Sequence, residues 1–161
     1  MLRPLEQWIC DTCHELIEKP RDGYLEWLSG GGGGDIWTIH GFRIVHHSPR
    51  SPRQPDGNCY RYTRHPDRQD LDLDVFVGPD GLGRLLSWLA LAPGQEGPSS
   101  HPDNPGELVE LIRRLHLPHY EEARLYFNEA RGDGFLDDGD PADWFRQQTL
   151  LHIIDRYGRD R

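Results

Sequence analysis

The stretch Trp8-Ile9-Cys10-Asp11-Thr12-Cys13-His14-Glu15-Leu16-Ile17 constrains this chain more than any other. Two cysteines three positions apart, flanked by apolar residues, point two thiolates at one ion from a single tight turn, which is the half-site spacing of structural zinc. The other half must come from a distance. The chain offers one further cysteine, Cys59, and between them the adjacent pair His46 and His47. Cys10, Cys13, Cys59 and one histidine make a tetrahedron that closes zinc completely and leaves no position for a reacting water. Strand alternation separates the histidines, because Phe42, Ile44 and His46 share one face while Arg43, Val45 and His47 share the other. Phe42 and Ile44 are the better core residues, so His46 is the expected ligand and His47 its alternative, with His14 and His40 next in line. Two competing readings stand beside zinc. The cysteines can be small buried hydrophobes, or a redox pair, although such pairs sit at a helix start after a strand and no βαβ unit is readable here.

Around this turn the apolar residues alternate. Residues 24–28, 36–40 and 42–47 are rich in aromatic and β-branched side chains and predict strands. The five glycines at 30–34 predict a flexible hairpin connection with no side chains to pack, not a phosphate loop. Residues 48–58 hold three prolines and no apolar anchor, so they form an exposed loop that delivers Cys59, after which 60–63 alternates like a short edge strand. A metal tying strand ends together across such a loop is a way to hold a sheet whose own core is thin.

Beyond about Leu71 the period shifts from two towards 3.6. A helix opening at Pro79 has Leu82, Leu85, Leu86 and Leu89 on one face. Residues 92–102 read as a linker. Asn104 as N-cap, Pro105 at the first position and Glu107 in the first turn start a second helix with Leu108, Leu111, Ile112 and Leu115 on its apolar face. A third runs from Pro118 with Tyr120, Ala123, Phe127 and Ala130, ending at Gly132 and Gly134. The last begins near Asp140 and Pro141 and buries Leu150, Ile153, Ile154 and Tyr157. The expectation is an α+β protein: residues 1–70 form a small antiparallel zinc-stapled sheet at the N-terminus, and residues 71–161 form a C-terminal helical region packed on it.

Charge and hydropathy narrow the partners. No apolar run reaches the length of a membrane span and the N-terminus has no signal-peptide core, so the expected address is cytoplasmic with reduced thiols and no membrane contact. A net charge of −9 opposes generic nucleic-acid binding. Between Arg43 and Arg68, however, six arginines (43, 50, 53, 61, 64 and 68) face only Asp56 and Asp67, a local charge of +4. Nucleic acid would have to bind through this basic loop; otherwise the expected partner is a protein.

The knuckle at residues 8–60 resembles zinc-ribbon and treble-clef proteins, in which a Cys-x-x-Cys turn on a hairpin is completed by later ligands. It departs from them at His14, where such knuckles carry glycine, and in having no second Cys-x-x-Cys. The segment Ile44-Val45-His46-His47-Ser48-Pro49 followed by Asn58 is also similar to the His-bearing strand and loop of His-Asn-His nucleases. That likeness implies His47 as general base and His46 as metal ligand. The resulting expectation is a non-enzymatic zinc-stabilised interaction or adaptor protein, with a metal-dependent nuclease or hydrolase as the alternative. The acidic segment 133–140 lacks the calcium-loop spacing and reads as a solvated loop ending in a helix cap. Glu121 and Arg124, three apart, read as a surface pair, and His116 and His119 as hydrogen-bonded structural histidines.

Overall fold

In the computed structural model, which describes residues 1–31, 37–53, 58–89, 100–135 and 139–158, the Cys-x-x-Cys turn closes a two-stranded antiparallel ribbon. Its strands are β1 (Trp8–Ile9) and β2 (Leu16–Ile17), with Trp8 opposite Ile17. Two residues per strand cannot hold a ribbon in water. Trp8 and Ile17, both fully buried, anchor it in the core instead. Residues 32–36, 54–57, 90–99 and 136–138 lie outside the described residues, and with them most of the glycine run, the middle of the proline loop, most of the expected linker and part of the acidic segment.

The main sheet has the order β5-β3-β4-β6. Its centre is the antiparallel pair β3 (Gly23–Gly31) and β4 (Trp37–His46). The two strands expected at 36–40 and 42–47 are one strand with a bulge: Glu26 faces Arg43 and Leu28 faces His40, so Gly41 and Phe42 together oppose Trp27. Gly41 has φ +69°, and a Cβ there would lie 2.6 Å from the Tyr62 hydroxyl oxygen, which donates to the Gly41 carbonyl at 3.0 Å. Only glycine meets both demands.

The expected edge strand at 60–63 does not form, because the Glu26 carboxylate takes the backbone N–H groups of Arg61 (3.0 Å) and Tyr62 (3.3 Å). With those donors satisfied, nothing drives a ladder there. The edge is instead β5 (Arg68–Asp72), antiparallel to β3. At the other edge β6 (Ser100–Pro102), within the stretch read as linker, pairs parallel with β4.

The helices α1 (Gly78–Ser87) and α2 (Pro105–His116) close over the sheet. The Asn104 side chain accepts from Gly106 N–H at 2.9 Å, as the capping signature requires. Only part of the α1 leucine stripe is inside: Leu85 is buried, but Leu86 and Leu89 are 46% and 43% exposed. Gly81 lies on the same inward row as Leu85, and a Cβ there would lie 2.2 Å from the carbonyl carbon of Phe76, five residues earlier, so the chain can enter the helix this tightly only with glycine at 81.

The helix expected from Pro118 is three pieces: α3 (Tyr120–Ala123), a 3₁₀ turn (Arg124–Tyr126) and α4 (Phe127–Gly132). The last expected helix begins as a 3₁₀ turn (Pro141–Phe145) capped by Asp140, breaks at Arg146 in extended conformation, and continues as α5 (Gln147–Tyr157). No helix among the described residues is long and apolar enough to cross a membrane.

The architecture is α+β, with the small antiparallel ribbon at the N-terminus and the helices towards the C-terminus. Two buried clusters support it. One joins Trp8, Leu25, Ile44, Phe76, Leu85 and Leu111 across ribbon, sheet, α1 and α2; the other joins Tyr120, Ala130, Leu150, Ile153 and Ile154 in the remaining helices. Leu111→Ala and Ile154→Ala should each destabilise by about 2 to 5 kcal/mol, through lost transfer energy plus a cavity. Urea unfolding checks this, and a change near zero would remove the residue from the core.

Candidate metal centre

The cysteine turn, the end of β4 and the loop after it meet at one point. One ligand atom each from Cys10, Cys13, His46 and Cys59 lies within 4.8 Å of the others. His46 Nδ1 is 3.4 Å from Cys13 Sγ and 3.9 Å from Cys59 Sγ. A tetrahedral zinc with bonds of about 2.3 Å to sulfur and about 2.0 Å to nitrogen has edges of roughly 3.5 to 3.8 Å; the two His46 separations match these edges, and the sulfurs need to draw in by no more than about 1 Å to close around one such ion. Three thiols and an imidazole are also the donor set that such an ion takes.

The histidine is oriented for the task. His46 Nε2 donates to the Leu16 carbonyl at 3.1 Å, which fixes the proton on Nε2 and turns the Nδ1 lone pair towards the sulfurs. Ligating histidines in metal sites are held in the same way. His47 is elsewhere: its ring stacks on Tyr24 at 4.4 Å between centroids. Strand alternation thus separates the two as expected, although Ile44 and Val45 are both fully buried and burial alone would not have chosen a face.

The knuckle keeps its shape without the glycine. His14 takes φ +63°, the left-handed conformation that glycine supplies in the proteins the turn resembles, and its N–H donates to the Cys10 carbonyl at 3.0 Å. Thr12 N–H points at Cys10 Sγ at 3.5 Å. Ser51 Oγ lies 3.2 Å from Cys59 Sγ, and the Thr12 hydroxyl donates to the Cys59 carbonyl, tying the distant ligand to the turn. Burial pushes the Cys13 thiol up to about 12, with Cys10 adding to the rise and a backbone hydrogen bond at Glu15 opposing it. Burial raises the Cys59 thiol as well, against the Ser51 hydrogen bond. Such crowding of sulfurs favours protons on them, and a divalent cation is what reverses that preference.

Two charged groups that the sequence reading missed set the site in place. Glu26, fully buried in β3, accepts from Arg43 Nε at 3.1 Å as well as from the backbone after Cys59. Arg43 in turn donates to the Asp11 carbonyl (3.0 Å) and the Thr12 hydroxyl (2.6 Å). The available signal was a carboxylate inside an apolar strand opposite an arginine.

The second group is Arg114 on α2. It donates to Asp11 Oδ2 (2.8 Å), to both oxygens of Glu121 (2.8 and 3.0 Å) and to the Ile9 carbonyl (3.3 Å). Glu121 is not in a surface pair. It is 6% exposed, held by Arg114 and Arg124 together, and it accepts the Ile9 N–H at 3.0 Å. Burial alone would push the Glu121 carboxyl up, but Arg114 and then Arg124 outweigh it and hold the group below the usual carboxylate range. Burial likewise opposes the Arg114 charge, and Glu121 and Asp11 more than restore it. The sequence pattern i, i+3 of Glu121 and Arg124 showed the partner but not the burial.

Three of the six arginines of the basic loop pair with carboxylates outside it. Arg43 pairs with Glu26, Arg50 with Asp22 at 3.4 Å, and Arg68 with Asp70 at 2.6 Å. In the described part of the acidic segment, Asp140 Oδ1 accepts from Ala142 N–H at 2.8 Å, a cap. His116 donates to the Phe76 carbonyl at 2.8 Å, whereas His119 Nδ1 is buried with no hydrogen-bond partner among the described residues. No known family model, no curated protein and no solved structure matches this chain.

Proposed function

We propose that Cys10, Cys13, Cys59 and Nδ1 of His46 hold one zinc ion in a closed structural site, and that the chain is a non-enzymatic interaction protein built on that staple. The carrying observation is that all four donor atoms lie within 4.8 Å while the other nitrogen of His46 is spent on Leu16. Four protein ligands fill the tetrahedron, which suits structure and not water activation. On this reading residues 1–70 are the zinc module and residues 71–161 the helical region packed on it. Metal-binding thiols of this kind belong in a reducing compartment such as the cytoplasm. The nuclease alternative needs His47 beside the ion as a base, and the stacking of His47 on Tyr24 speaks against it.

Metal analysis of freshly purified protein should give one zinc per chain, and cobalt(II) in its place should show thiolate charge-transfer absorption. His46→Ala should lose the metal, while His47→Ala keeps it. Full metal content in His46→Ala would strike His46 from the site. Divalent-dependent cleavage of DNA or RNA, lost in both variants with the fold intact, would replace the interaction reading with the nuclease one.

A further inference from the structure

A cleft of about 790 Å³ lies between α2, the α3 to α4 segment and the 3₁₀ turn Pro141–Phe145, apart from the cysteines. That volume falls within the usual range for small-molecule sites. Its walls are the half-buried rings of Phe127, Trp144 and Phe145. Large aromatic side chains left half open in one concavity are an unusual use of apolar surface.

Two arginines edge the cleft in a particular way. The guanidinium carbon of Arg113 lies 3.7 Å from the Phe145 ring centroid, and that of Arg131 lies 5.6 Å from the Trp144 centroid. A guanidinium placed over a ring face keeps N–H groups for a further acceptor; Arg113 shares one of its own with the Tyr120 hydroxyl. Arg114 and Arg124 are committed to Asp11 and Glu121; Arg113 and Arg131 form no ion pair among the described residues. Among the described lining residues the one carboxylate is Glu110, which accepts from the Tyr120 hydroxyl. Three arginines line the cleft; with Arg124 neutralised by Glu121 and Asp11, Arg113 and Arg131 against Glu110 leave a single surplus positive charge among the described lining residues, in a chain whose net charge is −9.

We propose that this cleft binds a carboxylate borne on an aromatic or similarly flat apolar group: the rings take the flat part and the arginine forks take the carboxylate. One surplus charge matches a monoanion, whereas a dianionic phosphate would leave negative charge facing Glu110 uncompensated. Bidentate arginine contacts suit the planar carboxylate. The inference does not depend on the metal, since none of the lining residues is a proposed ligand.

The test uses the full chain and three probes: naphthoate, the neutral naphthamide, and naphthyl phosphate. Binding is followed by the indole N–H resonance of Trp144, assigned with Trp144→Phe. Naphthoate should bind at least about tenfold tighter than naphthamide, and Arg131→Gln should remove about that factor. Arg131→Lys, which keeps the charge but loses the fork, should fall between, and Arg84→Gln, outside the cleft, should change nothing. Equal binding of naphthoate and naphthamide would overturn the proposal, as would no shift of Trp144 up to the solubility limit of naphthoate. Tighter binding of naphthyl phosphate than of naphthoate would overturn the assignment to carboxylates.

Discussion

Cys59→Ser is expected to reduce metal content from one ion per chain to none and to unfold the region around the β1–β2 ribbon. The expectation follows from magnitudes. Structural zinc contributes an apparent 10 to 16 kcal/mol in small zinc-finger peptides, roughly as much as the whole stability of an ordinary domain, about 5 to 15 kcal/mol. Cys59 reaches the site from a loop with no regular structure at 58–67, fixed to the sheet by Glu26 and to the turn by Thr12. Without its thiolate the ion loses one of four donors, and a ribbon of two residues per strand has little else to close it. Near-ultraviolet circular dichroism should lose the signal of buried Trp8, and the same loss should follow treatment of the native protein with a chelator. The second helical cluster, built from Tyr120, Ala123, Leu150 and Ile153 and without any proposed ligand, should keep its far-ultraviolet signal. Stoichiometric metal in the serine variant would remove Cys59 from the centre.

Arg114→Met should cost about 3 to 5 kcal/mol, because removing one member of a buried charge network leaves its partners desolvated and unpaired. Glu121 would retain Arg124, but Asp11 would lose its 2.8 Å contact and the Ile9 carbonyl its donor. Methionine fills the volume, so the loss reads charge and hydrogen bonding more than a cavity. The double variant Arg114→Met with Glu121→Gln should recover part of the loss, since it no longer buries an undercompensated carboxylate. A cost below about 1 kcal/mol, the range of exposed pairs, would mean that the network contributes no more than a surface ion pair. Asp11 sits between two proposed ligands, so metal affinity should fall in the same variant.

That Cys10, Cys13, His46 and Cys59 come together was legible in the sequence because few residue types have the chemistry to hold a metal. Three cysteines and a strand ending in two histidines leave a small number of combinations, and a period of two assigns the histidines to opposite faces. The capping of α2 by Asn104 was equally local, one side chain answering one N–H two residues on. Local signals also marked the change from strands to helices, and with it the α+β class.

The tertiary structure alone decided whatever depends on which surfaces meet. The α1 stripe is apolar at Leu86 and Leu89, yet only Leu85 reaches the core, because the residues it meets there, such as Trp8, Leu25 and Leu111, come from the ribbon, the sheet and α2. Tyr60 to Thr63 alternates like a strand, but a buried carboxylate 35 residues from Arg61 satisfies the backbone first. Glu121 and Arg124 carry the spacing of an exposed pair, yet Glu121 is buried because β1 and Arg114 close over it, and Arg124 reaches it from a half-buried position. Periodicity reports how a segment would bury itself against a generic neighbour; the identity of that neighbour, and the hydrogen bonds and charges it brings, depends on long-range packing that no local window contains.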